Sequence, residues 1–208
     1  FRNVTGVQTC ALPISARDEA DCIARSIGSL LAQKYRGDFR IVLVDDRSSD
    51  GTADIARGLD HKGRLTIVEG EEPGPGWTGK LWAVEQGIAK AKTLSPAYLL
   101  LTDADIAHTP ENLSCLAARA EAGRYALVSL MAKLKCVSFA ERFMIPAFVY
   151  FFQMLFPFAW VNNRQARTAA AAGGCMLIKR EALERGGGIA ALKHEIIDDC
   201  RSEEHTSE

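Results

Sequence analysis

The sequence predicts an α/β fold in which a mostly parallel central sheet carries helices on both faces. Two observations lead there. Short apolar runs alternate with amphipathic runs of helical period from residue 19 to about residue 130, the alternation expected of strands joined by helices. Two of the apolar runs end in paired carboxylates, and in open α/β sheets ligands bind outside the carboxyl ends of the strands.

The elements follow in order. "EADCIARSIGSLLAQKY" sets Ile23, Ile27, Leu30 and Leu31 on one helical stripe. "FRIVLVDD" is a short continuous apolar strand ending at Asp45 and Asp46, and "DGTADIARGL" opens a helix with Asp50 as its N-cap. "RLTIVEG" reads as a strand, "EGEEPGPGWTG" as a Gly/Pro-rich break, and "TGKLWAVEQGIAKAK" as a helix. "AYLLLTDAD" is a further strand, closed by Asp103 and Asp105. "PENLSCLAARAEAG" is a helix with Pro110 in its first turn, and "YALVSLMAKLK" is another strand. "CMLIK", after Gly173 and Gly174, is strand-like. With neither an internal repeat nor a low-complexity linker, one domain accounts for the chain.

The two ends have a different origin. AGATCGGAAGAGCACACGTCTGAA translates as Arg201 to Glu208, and its reverse complement translates as Gln8 to Ser15. The ends are therefore one oligonucleotide read in opposite directions, and it resembles a common sequencing-library adapter. Residues 1–15 and 201–208 are expected to be foreign, leaving 16–200 as a partial domain. "ALPIS" then stands where a central strand should lead into "ARDEA". Pro13 lacks the N–H of a ladder, so that strand should pair weakly.

Setting aside Arg2, Arg201, Glu203, Glu204 and Glu208 leaves 23 basic and 23 acidic residues, a balance without the basic surplus of a nucleic-acid binder. Cys22, Cys115, Cys136, Cys175 and Cys200 lack CxxC spacing and read as reduced thiols, not as a zinc site or a disulfide frame.

Asp103 and Asp105 stand at i and i+2, which in an extended segment face the same way. Two converging carboxylates repel unless a cation joins them, and Mg²⁺ or Mn²⁺ would do so while holding substrate phosphates. A lone Asp-x-Asp also serves as a solvated turn or as caps. The set "ARDEA", "VLVDDRSSDGT", "GKLWAVEQG", "LLLTDAD", "GGCMLIKREAL" and "IDD", in that order, carries the argument further. It resembles the family-2 glycosyltransferases of GT-A fold, in which a nucleotide-sugar donor lies across the strand ends. "TGKLWAVEQG", "LLLTDADIAH", "FFQMLFPFAWVN" and "AAAAGGCMLIKREALE" look like the bacterial glycosyltransferases associated with hopanoid biosynthesis.

The resemblance implies roles for individual residues. Asp45 and Asp46 match the acidic motif that contacts the nucleoside, and Glu19 matches the acid of an Asn-Glu motif whose Asn is here Asp18. Lys80 matches the lysine that faces the nucleotide. Asp103 and Asp105 match the metal-binding pair, Asp103 also lying against the donor nucleotide. Asp198 and Asp199 stand where the family has Glu-Asp, with the second member as catalytic base. Gly173 and Gly174 would let backbone approach the sugar or acceptor, or else make a turn. The implied reaction is an inverting, metal-dependent transfer from a nucleotide-sugar, a UDP-sugar by the family's commonest choice.

From Phe143 to Trp160 the sequence has no charged residue, yet Pro146, Gln153 and Pro157 interrupt it. With Arg142 and Arg164 flanking it, the stretch fits a helix pair lying in the headgroup region at the cytoplasmic face of a bacterial inner membrane, where a lipid acceptor (a hopanoid or polyprenyl carrier) would be reached. A buried core helix and a short span are the other readings. Rival functions are a P-loop nucleotidase, a nucleotidyltransferase and a non-catalytic binding module. "GPGWTGKL" fits the P-loop until Leu81, where a Ser or Thr is required. The nucleotidyltransferase lacks its Gly-rich first turn. Keeping Asp45, Asp103, Asp105 and Asp199 together speaks against the module.

Overall fold

The computed structural model describes residues 9–59, 63–134, 136–163, 165–166 and 170–193. Within them lie six strands, β1 (Cys10–Ala16), β2 (Phe39–Asp45), β3 (Leu65–Glu69), β4 (Tyr98–Thr102), β5 (Leu127–Ser129) and β6 (Cys175–Lys179). The helices are α1 (Ala20–Leu31), α2 (Thr52–Arg57), α3 (Gly79–Lys92), α4 (Asn112–Gly123), α5 (Phe139–Leu155), α6 (Phe158–Val161) and α7 (Arg180–Arg185). The sheet runs β3-β2-β1-β4-β6-β5. Strands β1 to β4 are mutually parallel, and β6 is antiparallel to both of its neighbours.

Alternation along the strands divides the core between two faces, as a period of two requires. Leu12, Ile14, Ile41, Leu43 and Leu100 pack with Ile23, Ile27 and Leu30 of α1 and Leu113 and Leu116 of α4. Ala11, Val42, Leu99 and Leu101 point the other way, onto Leu81, Ile88 and Ala91 of α3. Gly87 lets α3 sit close, because a Cβ there would lie 3.2 Å from both Pro13 and Val44 side-chain carbons. Helices therefore cover both faces, as the sequence predicts.

Strand β1 crosses the boundary expected at residue 16. Residues 10–15 form the central strand, with Ala11 and Leu12 fully buried. All seven β1 residues are in register with β2, including Pro13 opposite Val42. The cost of the proline falls on the other side. Cys10 donates to Asp38 and Ala16 accepts from Asp46, so even-numbered residues bond toward β2, whereas Thr9 accepts from Ala97 and Tyr98 beside β4. Pro13 shares the parity of Thr9, and the β4 ladder registers only Cys10 with Tyr98 and Ala11 with Leu99. The expected weak pairing is thus confined to one edge of the strand.

Three local expectations need adjustment. "YALVSLMAKLK" yields only the three-residue β5, paired to β6 alone. Pro110 precedes α4, whose N-cap is Glu111, and its carbonyl accepts from Lys34 N. Asp50 is one residue outside the cap of α2, which is Gly51 at φ 90°. Its carboxylate nevertheless accepts from Thr52 N at 3.0 Å and, with the other oxygen, from Ala20 N at 2.8 Å, so one side chain serves the starts of α1 and α2. Those bonds, the Thr52 hydroxyl first, hold the Asp50 carboxyl below the usual carboxylate range.

The apolar stretch forms α5 and α6, with Pro146 inside α5. A capping box starts α5, Ser138 accepting from Glu141 N while Glu141 accepts from Ser138 N. None of the residues of α5 or α6 is buried, and Phe139 and Phe143 are 88% and 73% exposed, so the described residues form no core around the stretch. Among the described residues no helix is long and apolar enough to cross a membrane.

Candidate functional site

A cleft of about 480 Å³ opens where β1, β2 and β4 end and α3 begins. It is lined by Ser15, Ala16, Arg17, Glu19, Asp46, Gly79, Lys80, Ala83, Asp103, Ala104 and Asp105. Parallel strands ending side by side bring these chain segments together, and α3 delivers Lys80 in its first turn. Thr78 caps that helix, its hydroxyl accepting from Leu81 N at 3.4 Å. The first-turn amides of a helix have no partner within it, which together with an adjacent ammonium favours an anion.

Lys80 Nζ lies 3.0 Å from Asp103 Oδ1, joining α3 to the end of β4. Asp46 is nearly buried and sits between Arg17 Nη1 at 3.7 Å and Arg47 Nε at 3.5 Å. Asp45 is buried as well but is not a lining residue, and its Oδ1 has no hydrogen-bond partner. A buried carboxylate oxygen left without a donor is costly, and in this position it lies behind the cleft lining and not on it. Behind it the backbone is tight, since a Cβ on Gly70 would lie 2.9 Å from Asp45 O.

Glu19 lines the cleft, its N–H donating to Thr52 Oγ1 at 2.9 Å and its Oε2 accepting from Cys22 Sγ at 2.9 Å. Desolvation first, and then that bond to Glu19, push the Cys22 thiol up to about 12, so it stays a neutral donor. Asp18 takes φ 54°, a conformation that Asp and Asn tolerate best among residues with a side chain. Its Oδ1 accepts from Ser49 N at 2.8 Å, a role needing only an oxygen, so Asp in place of Asn does no harm there.

Asp103 and Asp105 both line the cleft, but not for the reason of strand alternation. Strand β4 stops at Thr102 and residues 104–105 form a turn. Asp103 is instead set by its neighbours. Its N–H donates to Gly174 O at 3.3 Å. A Cβ on Gly174 would fall 2.8 Å from Ile106 Cδ1 and 3.3 Å from Asp103 Oδ2. Gly174 therefore packs against the carboxylate itself, and Gly173 is half-buried in the same turn.

Two carboxylates suit a small hard cation that takes its remaining oxygens from substrate phosphates and water. Among the described residues no group of three His, Cys, Asp or Glu side chains is placed to hold a metal by itself. Asp198 and Asp199, expected to include the base, lie outside the described residues.

Sequence reasoning missed Ser15 and Arg17 as lining residues. Ser15 lies in the stretch expected to be foreign, and Arg17 carries no signal beyond its place in "ARDEA" beside Glu19. It also missed the polar chain behind Asp103, for which a His three residues past Asp105 was the available signal.

A family model described as "Glycosyl transferase family 2" matches residues 13–187. The succinoglycan biosynthesis protein ExoU of Rhizobium meliloti (strain 1021) is 43% identical over 60 residues, which are 28% of this chain and 17% of that protein. Among solved structures, the mannosyltransferase PcManGT from Pyrobaculum calidifontis, in complex with GDP-Man and Mn²⁺, superposes with a TM-score of 0.60 at 22% identity, covering 87% of this chain and 47% of that one. S. aureus TarS in complex with UDP gives 0.55 at 16% identity, covering 86% and 49%. The M. tuberculosis glucosyl-3-phosphoglycerate synthase gives 0.56 at 17% identity, covering 85% and 58%. The chain thus spans about half the length of these structures, and the shared architecture is the GT-A fold.

Proposed function

We propose, for a chain that belongs to glycosyl transferase family 2, that it moves a sugar from a nucleotide-sugar to a lipid acceptor with inversion at the anomeric carbon. The observation that carries the donor reading is the Lys80–Asp103 pair, set in one cleft with Asp46, Glu19 and Asp105 at the carboxyl ends of parallel strands. Asp46 and Glu19, which line the cleft, hold the nucleoside, with Asp45 behind them by family likeness. Lys80 and the first turn of α3 receive the diphosphate, an anion at a helix start. Asp103 and Asp105 would hold Mg²⁺ or Mn²⁺, which supplies charge stabilisation for the departing diphosphate.

In the transfer the acceptor oxygen bonds to the anomeric carbon as the bond from that carbon to the diphosphate oxygen breaks. The acceptor's proton passes to a carboxylate, Asp199 by family likeness, with Asp198 beside it. A lipid acceptor, a hopanoid or polyprenyl carrier, is supported by the unburied apolar surface of α5 and α6, which suits the cytoplasmic face of a bacterial inner membrane. Gly173, in the turn before β6, would let backbone approach the sugar or the acceptor.

The test is nucleoside diphosphate release. The protein is incubated with Mn²⁺ and UDP- or GDP-sugars, with and without lipid extract. Release that depends on lipid and is accompanied by a glycosylated lipid supports the reading. Donor binding without transfer to any lipid refutes the lipid acceptor.

A further inference from the structure

We propose that His108 and Thr102 are positioning residues that set the aim of the Asp103 carboxylate through the Gly174 carbonyl, a role that rests on reading Asp103 as a cation-holding group. The chain begins on α4. Asn112 Nδ2 lies 2.8 Å from His108 Nδ1. On the far side of the ring His108 Nε2 lies 3.0 Å from Thr102 Oγ1, and the Thr102 hydroxyl donates to Gly174 O at 3.0 Å. Gly174 O also receives the Asp103 N–H. The His108 backbone is itself pinned, its N–H donating to Ser29 Oγ of α1 at 2.9 Å.

Proton counting gives the direction. An amide nitrogen only donates, so His108 Nδ1 accepts and the ring carries its proton on Nε2. That proton goes to Thr102 Oγ1, which leaves the single hydroxyl hydrogen of Thr102 free for Gly174 O. With the opposite tautomer Thr102 would have to donate to the ring, and Gly174 would lose the bond. Burial holds the His108 pKa below its ordinary value of 6.5, keeping the ring neutral as the chain requires.

The second anchor is Asn112 itself, whose Nδ2 also approaches Cys175 Sγ at 3.8 Å. Both sides of Gly174 are thus tied to one pair of side chains, its carbonyl through Thr102 and its successor Cys175 through Asn112. Gly174 abuts Asp103 so closely that a Cβ would lie 3.3 Å from Oδ2. A shift of this turn therefore moves the surface against which the carboxylate rests; partners bonded directly to a metal-holding group change affinity about 10- to 100-fold when removed, and the low end of that range is expected for groups acting through Gly174.

Two measurements test the proposal. In ¹⁵N-resolved NMR of the histidine rings, His108 should show a neutral ring protonated on Nε2; protonation on Nδ1 overturns the relay whatever the site binds. In Mn²⁺ titrations followed by electron paramagnetic resonance, Thr102→Val should weaken Mn²⁺ about tenfold and Thr102→Ser should not. His108→Gln, which keeps an N–H donor at the far end of the side chain, should retain affinity that His108→Ala loses. Thermal unfolding is run alongside. Lost stability with unchanged Mn²⁺ affinity in both Thr102→Val and His108→Ala means a structural role only and overturns the proposal. A parent protein that binds no Mn²⁺ instead removes the cation reading of Asp103 and the proposal with it, while the ring tautomer reports separately on the relay.

Discussion

Replacing Gly174 with Ala separates stability from function in this site. The added Cβ meets Ile106 Cδ1 at 2.8 Å and Asp103 Oδ2 at 3.3 Å. The first contact is the far end of a flexible side chain and is relieved by a rotamer change. The second requires the carboxylate to give by a few tenths of an ångström. Overpacking of this kind costs about 1 kcal/mol at its mild end. In a domain of this size that lowers Tm by about 2–4 °C. The carboxylate displacement falls on the group that pairs with Lys80 and is proposed to hold the cation, so Mn²⁺-dependent affinity for a nucleotide-sugar should drop about tenfold. Calorimetric titration and thermal unfolding of the same sample measure the two effects. Adding Ile106→Ala relieves only the first contact, so it should leave the affinity loss in place. Full affinity in Gly174→Ala, or full recovery of affinity in the double variant, would show that Gly174 does not set the carboxylate.

Three more predictions address the base, the apolar helices and the buried imidazole. Asp199→Asn should keep donor binding and lose transfer, with Asp198→Asn milder; the reverse order in a turnover assay makes Asp198 the base. Replacing Phe148, Phe151 and Phe152 with Ser should release the protein from anionic liposomes in a flotation assay while the sheet stays folded, since α5 buries none of its side chains; equal lipid binding by the variant removes α5 as the membrane contact. Burial depresses the folded His108 pKa below 6.5, so below that pH the unfolded chain binds more protons. The His108 contribution is therefore complete above about 6.5 and is lost as pH falls toward the folded value. Denaturant unfolding across that range should show a shallower acid slope for His108→Gln than for the parent, and parallel slopes refute the assignment.

What the sequence reveals here is whatever depends on local period. The continuous runs at 39–45 and 98–102, the stripe of Ile23, Ile27 and Leu30, and the strand-end acids Asp46, Asp103 and Asp105 are legible because burial and alternation write themselves into neighbouring residues. "CALPISA" forms a strand for the same reason, Pro13 notwithstanding. The antiparallel insertion of β6 between β4 and β5 is not legible, since strand order depends on pairing between residues far apart in the chain. Nor is the placement of Asp103, which is fixed by Gly174 and by the Thr102 hydroxyl reaching across 72 positions. Asp103 and Asp105 both line the cleft, but strand alternation is not the reason, because the chain turns after Thr102.

The cleft at the ends of β1, β2 and β4 is proposed to bind a nucleotide-sugar with a divalent cation held by Asp103 and Asp105. The direct measurement is a calorimetric titration of UDP- and GDP-sugars into the parent protein and into Asp103→Asn and Asp105→Asn, with Mn²⁺ and with chelator. Mn²⁺-dependent binding to the parent is expected, lost in both variants while their unfolding transitions stay cooperative. Binding of equal strength in the variants, or binding indifferent to chelator, would contradict it.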